Sequence, residues 1–218
     1  MVIIMLGAPA SGKGSVAELL KEEYKIPTIS SGDIFRKYIS EGTEIGKLAN
    51  SYITRGELVP DDVTVKMIAS RLEEPDVKDG LILDGFPRTV AQAKALDDIL
   101  NKYNKKIDLV INLESNEDEL LTRIVNRRVC PKCKSIFNVV LKPSKVEGIC
   151  DNCGSRLEQR DDDTVEKAKY RLNVCRTQTA PVADYYKSTG ILYSTLLSER
   201  ANRMKGEVAH DVIEYLKK

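Results

Sequence analysis

Residues 2–15 read VIIMLGAPASGKGS, and no other stretch narrows the possible folds as far. The run from Val2 to Leu6 is apolar throughout, with strand length and no alternation, the pattern of a strand covered on both faces of a parallel sheet. A glycine-bearing loop, Gly7 to Gly14, follows it. From Ser15 the sequence VAELLKEEY has helical spacing, with Val16, Leu19 and Leu20 on one side. In such a strand, loop and helix, the glycines permit left-handed turns and close backbone approach. Successive N–H groups form an anion nest where the helix begins, and Lys13 adds a cation. This is a phosphate-binding loop, although its hydroxyl stands at Ser15 and not directly after the lysine. A glycine-rich turn with no ligand is the bland alternative, and the position between a buried strand and a helix weighs against it.

The rest of the chain repeats the alternation. A short extended stretch, 26–30, precedes a segment where Ile34, Tyr38, Ile45, Leu48 and Ile53 suggest short helices broken by Gly42, Gly46 and Gly56, a small helical insertion. A helix over 62–73 leads to the apolar run LILD at 81–84, and a helix over 89–103 leads to DLVINL at 108–113. Further helices are predicted over 116–127, near 163–174 and 177–187, and over 209–218. Strands and helices in this order predict an α/β fold, a central parallel sheet flanked by helices. At 218 residues, with 42% hydrophobic and 31% charged, the chain can bury one good core and small appendages. Its 34 Lys and Arg against 33 Asp and Glu leave +1, so no whole-surface footprint for nucleic acid or membrane is expected. The N-terminal apolar run is too short for a signal peptide and no segment reaches membrane-spanning length. A cytoplasmic enzyme is the expectation.

Two more signals carry phosphate chemistry. In LDGFPRT, Asp84 ends a predicted parallel strand and so falls at the sheet edge that carries the phosphate loop. It could hold Mg²⁺ through water, and Arg88 offers a fork for a second phosphate. A capped turn with a surface arginine would read the same way. Arginines also crowd at 123, 127, 128, 156, 160, 171 and 176. Some are expected to face solvent or to pair with Asp161, Asp162 and Asp163, but phosphoryl transfer needs several cations and little other chemistry. The sole histidine, His210, lies near the end of the sequence and is expected at the surface.

Cys130-x-x-Cys133 and Cys150-x-x-Cys153, separated by 16 residues, form two metal knuckles at zinc-ribbon spacing. Four thiolates leave no open coordination position, so the metal is structural. Iron is the alternative ion, and a disulfide pair is disfavoured in a reducing compartment. The sequence between the knuckles has too few apolar residues for its own core. A zinc ribbon beside a phosphate loop could also mark a nucleic-acid-binding NTPase, with exposed aromatics among basic residues. Phe137 with Lys132, Lys134, Lys142 and Lys145 is all that supports it.

Taken together, GAPASGKGS, SSGDIFR, TRGELVPDD, LDGFPRT, RIVNRRVC, the four cysteines, QRDDD, and the later RL, TAP and YY resemble the adenylate kinase family, in its long form with a zinc-bearing lid. The resemblance runs from Met1 to about Tyr186 and is loose beyond. It implies a nucleoside monophosphate kinase fold with a core (1–30, 60–127, 160–218), an AMP-binding segment (31–59) and a lid (128–159). It implies Mg²⁺-dependent phosphoryl exchange among ATP, AMP and ADP by a monomer with structural zinc, without nucleic acid or membrane. The ATP site implied is Ala10, Ser11, Gly12, Lys13, Gly14, Ser15, Arg123, Arg127 and Phe137. For AMP it is Ser31, Arg36, Glu57, Val59, Gly85, Arg88, Gln92, Arg160 and Arg171, with Asp84 ordering Mg²⁺. The chemistry would fall to Lys13, Asp84, Arg88, Arg123, Arg127, Arg160 and Arg171. Another nucleoside monophosphate as acceptor stays open. The chain departs from the family pattern at Ala10 and Asn126, where glycine is usual, at Ser31 for threonine, at Asn138 for a lid histidine and at Cys175 for tyrosine. Ala10 is expected to be harmless if the loop is locally ordinary. Asn126 is expected to tolerate positive φ, and Cys175 to be a small buried hydrophobe.

Overall fold

The computed structural model describes residues 1–197 and 205–217. Its centre is a parallel sheet in the order β2-β3-β1-β4-β7, built from β1 (Val2–Gly7), β2 (Thr28–Ser30), β3 (Leu81–Asp84), β4 (Leu109–Glu114) and β7 (Leu192–Leu196). The unbroken apolar runs of β1, β3 and β4 are explained by burial on both faces. Val2, Ile4, Leu6, Leu81, Leu83 and Val110 join one core with Phe86, Leu96, Leu100 and Tyr186. Ile3, Met5, Ile82, Leu109 and Ile111 join another with Val16, Leu20, Val208 and Val212. Each such side chain contributes about 1.5–3 kcal/mol relative to exposure. The helices over these faces include α1 (Lys13–Tyr24), α4 (Asp61–Leu72), α5 (Val90–Lys102), α8 (Ala180–Lys187) and α9 (Lys205–Leu216). The predicted last helix falls on α9, and Lys218 lies outside the described residues.

The register sets the site. β1 pairs with β3 so that Met5 lies opposite Asp84, and with β4 so that Gly7 lies opposite Leu113. The phosphate loop and Asp84 therefore emerge side by side at the carboxyl edge of the sheet. A Cβ on Gly7 would come within 2.5 Å of the Leu113 carbonyl oxygen, which is why the loop begins on a glycine.

The segment after β2 forms α2 (Ser31–Ser40) and α3 (Glu44–Ile53), capped by Ser30 and Thr43 hydroxyls that accept from the Asp33 and Gly46 N–H groups. Gly42 and Gly56 end helices as expected. Gly46 does not break one. It sits in the first turn of α3, where a Cβ would meet the Tyr38 carbonyl oxygen at 2.1 Å, so its role is close helix packing.

Beyond α6 (Glu117–Val125), capped by the Asn116 side chain, a two-stranded antiparallel ribbon, β5 (Arg127–Val129) with β6 (Ile136–Asn138), opens the cysteine segment. The helix predicted over 116–127 thus stops two residues early. Asn126 has φ of −94°, so no left-handed conformation is asked of it. The two helices expected after the lid are nearly one: α7 (Val165–Val174) continues through a wider, π-type turn at Cys175–Thr179 into α8. β7 was not foreseen. It is a sheet edge with half-exposed residues, so LYSTL lacks the solid apolar run that marks the inner strands.

Candidate active site

The loop from Gly7 wraps the side chain of Lys13. The ammonium donates to the carbonyl oxygens of Gly7 and Ala8 at 2.8 and 2.7 Å, holding the turn at the start of α1. Gly12 supplies the left-handed N-cap with φ of 97°. Ala10 is also left-handed, with φ of 62°, so the loop is not locally ordinary and a non-glycine residue carries about 1–2 kcal/mol of strain there. Its methyl packs against the small cluster of Leu120, Ile124, Ala168 and Leu172, which offsets part of that cost. Gly14 and Ser15 are exposed at the first turn, where unpaired N–H groups favour an anion. Burial pulls the Lys13 ammonium below the usual lysine value, and the nearby Asp84 carboxylate opposes that shift. Asp84 Oδ2 lies 3.6 Å from the position a Cβ on Gly14 would take, so carboxylate and helix start face each other.

Arg88 is held at the Gly85 turn that follows Asp84. Its Nε donates to the Gly85 carbonyl oxygen at 2.8 Å, and that same oxygen accepts from the Ser31 hydroxyl at 2.6 Å. Burial lowers the Arg88 pKa first, Arg171 lowers it further, and Asp84 raises it. The Asp84 charge thus favours the cationic form of both Lys13 and Arg88. Gln92 is buried, with Oε1 accepting from the Arg88 backbone N–H at 2.7 Å. Arg36 pairs with Asp33 at 2.6 Å, and Glu57 accepts from Arg55 at 2.7 Å. Val59 is buried in the main core.

The arginine cluster is assembled by acids on neighbouring elements. Arg127 donates from Nε and Nη2 to the two oxygens of fully buried Asp163. Arg171 meets Asp162 at 2.8 Å and Asp163 at 3.3 Å. Arg123 pairs with Glu119 at 3.1 Å. Asp162 and Asp163 therefore do what was expected of them, whereas Asp161 is exposed. Arg160 differs: its Nε is buried without a hydrogen-bond partner, and its pKa falls to about 10, through burial first and then Arg127 and Arg36. A desolvated guanidinium with a spare donor is a ready anion ligand. All these cations line one cavity of about 1610 Å³, together with Gly12, Gly14, Asp84, Gly85 and Gln92.

Cys175 also lines this cavity, partly exposed; burial raises its thiol pKa, and Lys13 and Arg88 oppose that shift. It is not the buried hydrophobe expected. Asn138 donates from Nδ2 to the Arg123 carbonyl oxygen at 3.1 Å and accepts the Val140 and Leu141 N–H groups on Oδ1. Instead of an imidazole contact, this residue fastens the ribbon to the end of α6. His210 is exposed.

In the cysteine segment the four Sγ atoms lie within 4.8 Å of one another. A tetrahedral ion with sulfur ligands at about 2.3 Å would set them roughly 3.8 Å apart, so the set fits one closed metal site. Each knuckle repeats one arrangement. The Cys130 and Cys150 N–H groups donate to the Ser135 and Ser155 carbonyl oxygens, while the serine hydroxyls contact Cys133 and Cys153 Sγ at 3.1 and 3.5 Å. The Ser155 hydroxyl, with its backbone N–H, pulls the Cys153 thiol down to about 6, whereas burial pushes the Cys150 thiol up to about 11, so the four sulfurs do not ionise alike. Phe137 is 5% exposed and packs with Cys130, Cys150 and Leu157, with Lys142 over its ring at 5.6 Å. The nucleic-acid alternative thereby loses its one aromatic platform, and the same burial restricts what the ring offers a nucleotide.

Asp61 and Thr89 were missed. Asp61 accepts from Gln92 and Thr89 side chains, and the only signal in the sequence was the pair of acids opening α4.

A parallel sheet whose phosphate loop, strand-end aspartate and arginine cluster share one cavity defines a phosphate-loop nucleotide kinase of the nucleoside monophosphate type. The family model for adenylate kinase matches residues 5–191. The chain is 51% identical over 193 residues to an adenylate kinase of Streptomyces coelicolor, covering 88% of this chain and 89% of the relative. It is 48% identical to one of Archaeoglobus fulgidus over the same shares. With an adenylate kinase of Staphylococcus aureus it shares 46% over 216 residues, 99% of both chains, so that alignment takes in the tail as well. The chain belongs to the adenylate kinase family.

Proposed function

We infer that the protein catalyses reversible transfer of the γ-phosphoryl group of ATP to AMP, giving two ADP. The observation that carries this reading is that Lys13, Asp84 and Arg88 line one cavity, with Asp84 facing the start of α1 and Arg88 held at the Gly85 turn, so that donor and acceptor phosphates can lie there end to end. An oxygen of the AMP phosphate attacks the γ-phosphorus while the bond to the β,γ-bridging oxygen breaks, leaving its electrons on the departing ADP. The acceptor oxygen is already ionised at neutral pH, so no histidine base is needed. What remains for the protein is alignment, charge neutralisation and exclusion of water.

In this reading the ATP phosphates lie on Ala10, Ser11, Gly12, Lys13, Gly14 and Ser15, with Arg123, Arg127 and Phe137 also lining the ATP side of the cavity. AMP lies among Ser31, Arg36, Glu57, Val59, Gly85, Arg88 and Gln92. Arg160 and Arg171 close over both, and the buried, unpartnered Nε of Arg160 supports that assignment. Asp84, facing the first turn of α1, would hold Mg²⁺, which when bound neutralises charge on the phosphate oxygens. The division into a core, an AMP-binding segment over 31–59 and a lid over 128–159 is part of this proposal, with zinc in the lid as a structural ion. So are a monomeric state and a cytoplasmic setting, which suits five free cysteines. Among the described residues no helix is long and apolar enough to cross a membrane.

Separating the products after mixing MgATP with AMP, UMP, CMP or GMP tests the reading. ADP should form with AMP far faster than any diphosphate forms from the others. Comparable turnover of a pyrimidine monophosphate would overturn the acceptor assignment, and ATP hydrolysis stimulated by polynucleotide would overturn the class.

A further inference from the structure

The side-chain amide of Gln92 is held at both ends by partners of opposite polarity. Its Nε2 donates to Asp61 Oδ1 at 2.6 Å, and its Oε1 accepts the Arg88 N–H at 2.7 Å. A carboxylate can only accept and a backbone N–H can only donate, so turning this amide over would set donor against donor and acceptor against acceptor. The side chain is 1% exposed, and no water would repair either clash. Asp61 is itself fixed: Oδ2 accepts the Thr89 hydroxyl at 2.9 Å, and Thr89 Oγ1 accepts the Gln92 N–H at 3.1 Å as the cap of α5. The carboxylate sits at the first residue of α4, two positions after Val59, so it joins the end of the 31–59 segment to the cap of α5.

We propose that Asp61 is a positioning residue for acceptor specificity: by locking the Gln92 amide it favours a purine monophosphate whose N1 is an acceptor over one whose N1 carries a proton. The proposal rests on the assignment of Gln92 to the acceptor nucleotide. With Nε2 bound to Asp61 through one hydrogen and Oε1 to Arg88 through one lone pair, the amide keeps its other N–H and second lone pair for a base in the cavity that Gln92 lines. A 6-aminopurine, with an acceptor at N1 and a donor at the 6-position, complements that pair. A 6-oxopurine presents the reverse order. A glutamine free to flip would serve both bases, whereas a locked one leaves buried polar groups unpaired against the wrong base.

The test is kcat/KM for AMP and for IMP at saturating MgATP, in the wild type and in Asp61→Ala, Asp61→Asn and Gln92→Ala. Asp61→Ala should raise KM for AMP with KM for ATP unchanged, and should narrow the AMP-to-IMP preference by about tenfold or more. Asp61→Asn should keep most of the preference, because its oxygen can still accept from Gln92 while its amino group donates to the Thr89 hydroxyl. A folded Asp61→Ala enzyme whose preference stays within about twofold of wild type would overturn the proposal, as would an equal fall in kcat for both nucleotides with the preference intact. If Asp61→Ala does not fold, Asp61→Ser carries the same comparison, since it too removes the carboxylate from Gln92. Failure of the underlying reading looks different: Gln92→Ala would then leave KM for AMP unchanged.

Discussion

The phosphate loop and the cysteine lid are both short segments rich in turns, yet they are held by different physics. The loop rests on a sheet whose inner residues, such as Ile3, Ile4 and Ile82, are wholly buried. It can therefore tolerate a left-handed alanine and a desolvated lysine. The lid buries little more than Cys130, Phe137, Cys150 and Leu157, and leaves Val140 and Val146 more than 60% exposed. What it offers instead is four sulfurs that converge on one point, where a metal would tie the segment together. In one region burial supplies the stability that chemistry consumes. In the other, a metal held by the four thiols would replace the burial that is missing.

That contrast predicts that changes in the loop strike turnover and changes in the lid strike stability. Lys13→Met should show the largest effect, a fall in kcat of about 100-fold or more, since one lost transition-state contact of this kind is worth roughly 2.7–4 kcal/mol. Its melting temperature should move only a few degrees, and a fall in kcat below about tenfold would break the assignment. Arg88→Ala comes next. Titration calorimetry should find AMP binding weakened by at least about tenfold with ATP binding little changed, and the opposite pattern would move Arg88 to the donor side.

The lid supplies the third test. Replacing Cys130 and Cys153 together with serine should release the metal, speed hydrogen exchange over 128–159 and lower the melting temperature. Transfer assayed below the unfolding transition should fall less than in Lys13→Met, the loss reflecting incomplete closure. An unchanged melting temperature after demonstrated metal loss would refute a stabilising role. The smallest effect is expected for Ala10→Gly. Relief of about 1–2 kcal/mol of backbone strain is countered by about 0.5–1 kcal/mol of glycine entropy and by the lost methyl contact with Leu120 and Ile124. Denaturant unfolding should therefore differ from wild type by less than about 1 kcal/mol.

How much was legible in advance differs in the same way. The phosphate loop, the strands at 81–84 and 108–113 and the cysteine knuckles follow from local rules, because solid apolar runs, glycine turns and ligand spacing leave marks in contiguous residues. β7 left a weaker mark, since an edge strand is only half buried. The packing role of Gly46 left none, because a glycine that permits helix contact looks like one that ends a helix.

The sequence by itself determined the α/β alternation, the phosphate loop, the knuckle spacing and the family. Tertiary structure alone decided that Lys13, Asp84 and Arg88 line one cavity, that Asp163 holds Arg127, that Arg160 keeps an unpartnered Nε, and that Asp61 holds Gln92. The reason is that periodicity and turn chemistry act over a few residues. A charge finds its partner through space, at separations such as 36 residues for Arg127 with Asp163 and 31 for Asp61 with Gln92, and only the strand register and helix packing set those distances.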